Sequence, residues 1–495
     1  MSTLFEALWN GNDDGVVRAL RDGADPETVE DGETALYRAA VGNQPVAVRL
    51  LLAAGADPAR HGGEDGADLP LCGAACGGHA EVVRALLAAG ADPDQEEGYG
   101  FTALAWAIRL GHTEVVRELL EAGAAPDRPG PDGLAPLVAA ARRGSASCVR
   151  ALLEHGAGSR PEALDEARRW IGADMAAVLR RGLVEGGGAG DTYEAVVRRV
   201  PEDGGVTVVV ELLREDGAPT RGDERQTGHA AIATLLEGAL GVRTPHEELA
   251  GRALRCGDPA QDDWTTAVTA LAARADGAVL AAAADWCAAP DPLRRALGVQ
   301  VLAALPGHAE GALPVLRRLA EEVAAAVPDA AVPREPALSL AVALGQCADA
   351  SAVPGLLGLA AHPDGEVRRQ TAASLTGLVP AGHAGAAGVL AGLSRDPEPR
   401  VRDWATLALA ELPDDTPALR EALAARLADP DPETAAEAAR GLAIRQDPRA
   451  VEALARILAD ADPDGPARET ALAALEHVTD PRTRTRLEWT TPRCR

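Results

Sequence analysis

One phrase returns along the first third of the chain at a nearly fixed interval, and a period of that length constrains the fold more than any single residue. GADP or a close variant begins at Gly23, Gly55 and Gly90, then appears as GAAP at Gly123 and GAGS at Gly156, at intervals of 32, 35, 33 and 33 residues. The same frame surrounds each copy. The third unit reads DGADLPLCGAACGGHAEVVRALLAAGADP, and the fourth reads GFTALAWAIRLGHTEVVRELLEAGAAP. Each frame holds two short helices. Small pairs, Ala39–Ala40 and Ala74–Ala75, let those helices approach closely, while Leu51–Leu52, Leu86–Leu87 and Leu119–Leu120 fill the space between units. Gly after the second helix supplies a left-handed cap, and Asp-Pro stops the helix and opens a turn. No unit of this size covers its own apolar face, so stability must come from stacking.

This period and pattern resemble the ankyrin repeat family. The resemblance spans residues 1–184: about five units, then PEALDEARRWIGADMAAVLRRGLV (161–184) as a degenerate closing unit. It implies a concave face built from turns and first helices, on which side chains without core duty meet a partner. Here those are Tyr37 and Arg38 in the second unit, Tyr99, Phe101, Trp106 and Arg109 in the fourth, and Arg142 and Arg143 in the fifth. Aromatic residues with Arg are what interface centres use.

Residues 185–245 read as a linker with a β-hairpin and a helix. EGGGAG (185–190) is a flexible break. YEAVVRRV and VTVVVELL flank PEDGG, two β-branched runs around a turn. DGAPTRGDERQTG is polar and reads as a loop. The stretch 191–245 matches no family.

From 246 to 490 another phrase recurs: Pro, three residues, an apolar residue, often Arg, then Ala-rich helix. Pro363 precedes Val367–Arg368, Pro397 precedes Val401–Arg402, Pro430 precedes Thr434–Ala435, and Pro463 precedes Ala467–Arg468, at intervals of 34, 33 and 33. An earlier copy is APDPLRRALGVQVLAAL from Ala289. This resembles HEAT-type repeats, particularly the short kind of phycobilin lyases, in about seven helix pairs, with 491–495 as a tail. The unit at 429–445 lacks the Val-Arg pair, and the unit at 310–350 is stretched by VPDAAVPREP (327–336), so both are expected to kink the stack. The resemblance implies that Arg295, Arg368, Arg402 and Arg468 share a ridge and pair with acids of the same or adjacent unit. Three Trp follow Asp, at 264, 286 and 404. Asp with Trp in a solenoid is similar to a HEAT-like class of DNA glycosylases, but that class needs a basic groove. Trp404 is instead a candidate partner contact.

Charge decides between function classes. The 495 residues carry 75 acidic and 48 basic side chains, net −27, and every basic one is Arg. Abundant Ala, Gly, Pro and Arg is the codon signature of a GC-rich bacterial genome. Such an acidic excess disfavours nucleic acid and anionic membranes. The longest uncharged run, 370–394, holds Pro380 and five Gly and reads as helix, loop, helix rather than a membrane span. The start, MSTLFEALWNGNDDG, has no secretory pattern, and seven scattered Cys make no disulfide framework, so a cytoplasmic location is expected.

Chemistry-bearing motifs are sparse. Cys72, Cys76 and His79 fall at ordinary repeat positions with no fourth zinc ligand nearby. Gly186–Gly187–Gly188 lacks the Lys of a phosphate loop. Only 12 aromatics are present, 7 of them Trp, so the core is expected to be thin and made of Leu, Val and Ala. The expectation is an all-α pair of tandem-repeat solenoids acting as a non-enzymatic, protein-binding scaffold. It uses no cofactor or metal, and its acidic surface favours partners with a basic patch. The HEAT resemblance leaves a lyase-like, cofactor-handling protein as an alternative. An immunity-type inhibitor of a basic enzyme is another.

Overall fold

The computed structural model describes residues 2–63, 67–185, 194–214, 217–305, 309–326, 332–462 and 464–490. The chain divides into two compact units, Met1–Ala270 and Leu271–Arg495. Residues 186–190 of the break expected at 185–190, residues 327–331 of the insertion, and the tail at 491–495 lie outside the described residues.

The first unit opens as a stack of antiparallel helix pairs. First helices Ala35–Val41, Pro70–Cys76, Ala103–Leu110, Pro136–Arg143 and Arg160–Trp170 pack one on the next. Second helices Asp13–Arg21, Pro45–Ala53, Ala80–Ala88, Thr113–Glu121 and Ala146–Glu154 form a parallel row. Helix starts follow local chemistry. Thr34 and Thr102 hydroxyls accept from the Tyr37 and Ala105 amides at 3.1 and 3.2 Å, while Pro70 and Pro136 occupy first-turn positions. After the second helices, Gly55 and Gly90 sit at φ 102° and 93°, a left-handed conformation that disfavours any side chain. Leu51, Leu86, Leu119 and Leu152, one per unit, are fully buried. Burying each contributes roughly 1.5–3 kcal/mol. Ala39, Ala40, Ala74 and Ala75 are likewise fully enclosed, as their small size requires.

The histidines of the pattern join units. His79 Nε2 donates to the Val41 carbonyl and His112 Nε2 to the Cys76 carbonyl, each at 3.1 Å, so each His ties its helix start to the preceding unit's first helix. Among the described residues no His, Cys, Asp or Glu cluster is arranged to hold a metal, and the six described cysteines are free thiols.

The closing unit differs from expectation. Arg160–Trp170 stacks as the next first helix, but Met175–Glu185 leaves the stack and packs on a sheet. Its place is taken by His229–Ala239, which packs on both Arg160–Trp170 and Ala146–Glu154. Ala231, Ile232, Ala233 and Leu236 join the stack's core, whereas Met175 and Leu179 form a separate cluster with Val208 and Val210. The physical reason is amphipathicity. HAAIATLL is apolar on nearly every face and suits an enclosed position, while MAAVLRRGLVE offers only a narrow stripe.

The hairpin region is a three-stranded antiparallel sheet of Glu194–Glu202, Gly205–Leu213 and Pro219–Gln226, in that order. Asp203 and Gly204, both at positive φ, make the two-residue turn. The central strand buries Val208, Val210 and Leu212 on one face. The third strand, PTRGDERQ, corrects the loop reading. It is an edge strand, exposed over residues 219–223, and edges keep charged side chains because charge discourages further pairing.

In the second unit two rows again stack. One runs Pro292–Ala304, Arg334–Gln346, Gly365–Leu375, Pro399–Glu411, Pro432–Ile444 and Pro466–Ala473. The other begins Gly277–Cys287, Ala309–Ala326, Val353–Leu359, Ala384–Leu393 and Pro417–Ala424. Asp before Pro caps the first row: Asp291 accepts from the Leu293 and Arg294 amides, and Asp431 from Thr434. Arg368 makes a two-point bond to Asp396 and Arg402 to Asp429, each pair reaching into the adjacent unit. Burial raises the Asp396 and Asp429 carboxyls, but the Arg bonds outweigh it and hold both below the usual range. In the unit that lacks the Val-Arg pair, buried Arg445 at the far end of Pro432–Ile444 donates back to the Leu409, Ala410 and Leu412 carbonyls at the end of Pro399–Glu411. No helix among the described residues is long and apolar enough to cross a membrane.

Candidate functional site

The fourth unit builds the aromatic part of the site. In Ala103–Leu110, Ala103, Leu104, Ala107 and Ile108 turn inward. The 3.6-residue period therefore leaves Trp106 and Arg109, three residues apart, on the outer side. The Phe101 ring stacks on Trp106 with centroids 4.2 Å apart and planes at 19°. The Arg109 guanidinium lies 5.7 Å from the Phe101 centroid and 5.9 Å from that of Trp106. Trp106 Nε1 donates to Glu97 at 2.7 Å, which fixes the indole. Burial pushes the Glu97 carboxyl above its usual range despite that bond.

Beside this stack a cleft of about 280 Å³ opens between the fourth and fifth units. Phe101 and Arg109 line one wall, Arg142 and Arg143 the other, and Arg128 projects from the intervening loop. The third strand closes one side with Asp223, Glu224 and Arg225.

The two arginines of the fifth unit have different fates. Arg142 Nε donates to Glu166 at 2.8 Å and its side chain stays open to solvent. Arg143 is buried. Its Nη2 donates to Glu224 at 2.6 Å and to the Leu110 carbonyl at 3.1 Å, and its Nη1 donates to the Glu224 carbonyl. Arg143, expected on the presented face, is therefore engaged within the chain. Neighbouring contacts hold the segments that follow: Arg150 pairs with Asp262, at the start of the helix Asp262–Ala272, at 2.9 Å, and the Gly228 amide donates to the Gly144 carbonyl at 3.1 Å.

The structure brings Phe101, Arg109, Arg142 and Arg143 to one cleft, while Trp106 stacks on Phe101 and does not line it. Tyr37 and Arg38 lie elsewhere, in the second unit: the Tyr37 hydroxyl donates to Asp68 at 3.0 Å, and Arg38 sits 4.0 Å over the Trp9 ring and 3.6 Å from Glu33. Tyr99 is 58% exposed. Trp404, in the Leu271–Arg495 unit, is half-buried. Sequence reasoning missed Arg128 and Arg225. Arg128 carries a signal, since it follows the turn-forming Pro-Asp of its unit, but Arg225 lies in a strand with no strand signature.

Comparison with known families agrees with this architecture. Residues 4–97 and 71–165 match the family described as ankyrin repeats (3 copies), and residues 386–476 match HEAT repeats. No curated protein matches the chain.

Proposed function

We propose that this chain, which joins ankyrin repeats to HEAT repeats, is a protein-binding scaffold whose principal contact surface is the cleft beside Phe101, Trp106 and Arg109. Both repeat types are generally protein-interaction modules. Fold alone does not assign a partner, so the reading rests on the site. The observation that carries it is the half-buried aromatic pair with exposed Arg109 at the edge of a formed cleft, a composition typical of binding hot spots. The mechanism is rigid complementarity: stacked units hold the wall in place, so little ordering is required on association. Net charge of −27 favours partners with basic surface across most of the molecule.

Quantitative capture from cytosol tests this, with the full-length chain and its Phe101→Ala and Trp404→Ala variants as baits. A discrete protein retained by the wild type and lost with Phe101→Ala is the expected result. Loss only with Trp404→Ala would move the surface to the HEAT repeats. Retention of nothing by any bait would remove the scaffold reading.

A further inference from the structure

The charge of the cleft runs against that of the chain. Arg109, Arg128, Arg142, Arg143 and Arg225 line it, facing Asp132, Asp223 and Glu224, while the whole chain carries −27. We propose that this cleft takes an acidic peptide segment of a partner protein, with carboxylates seated among Arg109, Arg128, Arg142 and Arg225. The inference rests on the scaffold reading and adds the chemistry of the occupant.

The arginines are not equally committed. Arg143 is held by Glu224, Arg142 by Glu166 and Arg128 by Glu96 at 2.7 Å. Among the described residues no carboxylate forms an ion pair with Arg109, whose guanidinium instead rests near the two aromatic rings. Arg225 lies 4.9 Å over the Trp170 ring, also with no carboxylate pair among the described residues. Two cleft arginines keep a donor shielded from water and unbonded, Arg143 at Nε and Arg225 at Nη1. Guanidinium groups held by stacking and packing retain their fork of N–H donors for an acceptor with two oxygens, which a carboxylate supplies.

Size and range favour a peptide over a folded domain or a nucleic acid. A cleft of about 280 Å³ admits a few side chains of an extended segment and not a folded domain. A nucleic acid would bring a dense line of phosphates toward a molecule of net −27, and that repulsion acts beyond the cleft. The strand that closes the cleft, Pro219–Gln226, lies outside the repeats, so the closed cleft is particular to this chain.

Fluorescence anisotropy with the full-length protein tests the proposal, using fluorescein-labelled octaglutamate and a labelled eight-nucleotide oligothymidine as probes. Octaglutamate should bind saturably, weaken as salt rises, and lose at least about tenfold in affinity in the Arg109→Glu/Arg128→Glu double variant. The Arg18→Glu/Arg21→Glu variant, with the same charge change at two exposed residues of the helix Asp13–Arg21, should bind as the wild type does. Thermal melts of both variants exclude unfolding as the cause. Absence of saturable octaglutamate binding, an equal loss in the control variant, or tighter binding of the oligothymidine each overturns the proposal. If the captured protein is lost with Phe101→Ala but kept by Arg109→Glu/Arg128→Glu, the scaffold reading stands and the acidic occupant falls.

Discussion

Arg143 and Glu224 stand 81 residues apart in sequence, and their charged groups meet at 2.6 Å. The same guanidinium holds the Leu110 carbonyl, so one side chain joins the end of the fourth unit's first helix, the fifth unit and the third strand. Arg143→Ala leaves a carboxylate and carbonyls without their donor and should destabilise the first unit by about 3 kcal/mol. Arg142→Ala, at an open ion pair, should cost no more than about 1 kcal/mol. Urea denaturation compares the two, and hydrogen exchange should locate the Arg143→Ala effect at residues 219–226.

Gly144 should tolerate substitution less than Gly90, although both lie at positive φ, 82° and 93°. Around Gly90 a Cβ meets open space, whereas at Gly144 it falls inside contact distance of the Gln226 carbonyl and the His229 ring. Gly90→Ala should cost about 1 kcal/mol, from backbone strain alone. Gly144→Ala should cost several times more and shift the strand. Thermal melts of the two variants read the difference.

Glu237, only 2% exposed, binds Arg252 at 2.7 and 2.8 Å, Arg168 at 2.8 Å and Thr244 at 2.5 Å. Burial raises its carboxyl, but these donors outweigh burial and bring it from 4.5 down to about 2. The folded value lies below the unfolded one. Its contribution is therefore fully present above pH 4.5 and is lost as pH falls toward 2. Glu237→Gln should lower stability at pH 7 by about 3 kcal/mol. It should also flatten the acid limb of a stability–pH curve between those values.

Asp403 has the opposite sign. Burial first, then Asp431, Glu433 and Glu437, pushes its carboxyl from 3.8 up to about 7. The folded chain holds a proton there that the unfolded chain has released, so stability declines as pH rises through this window. Asp403→Asn should remove that decline and stabilise the second unit by about 1 kcal/mol at pH 8, a figure discounted for solvent at this partly open group. Denaturation midpoints at pH 5 and pH 8 test it: a gain at pH 8 that exceeds the gain at pH 5 is expected.

Both repeat stacks were legible because their contacts are local and periodic. Leu51, Leu86, Leu119 and Leu152 perform one task at a spacing near 33 residues, and Arg368 and Arg402 repeat one bond. The site was half legible. Trp106 and Arg109 announced themselves as bulky residues on a helix whose core positions were already filled, and Phe101 as an aromatic in the turn just before it. Arg142 and Arg143 were indistinguishable in sequence, since a one-residue step along a helix decides burial and the neighbour that buries Arg143 lies far along the chain.

The sequence by itself determined the repeat period, the helix caps, the Leu–Ala core, and the net acidic charge. Each follows from interactions within a unit or between adjacent copies, which a repeating sequence writes many times. Only the tertiary structure decided that His229–Ala239 closes the first stack, that PTRGDERQ is a strand, and that arginines from the fourth unit, the fifth unit and that strand share one cleft. These depend on single contacts across long sequence separations, made once, by residues whose local propensities point elsewhere. An exposed edge strand has no apolar alternation to reveal it, and a locally basic cleft leaves no trace in a net charge of −27.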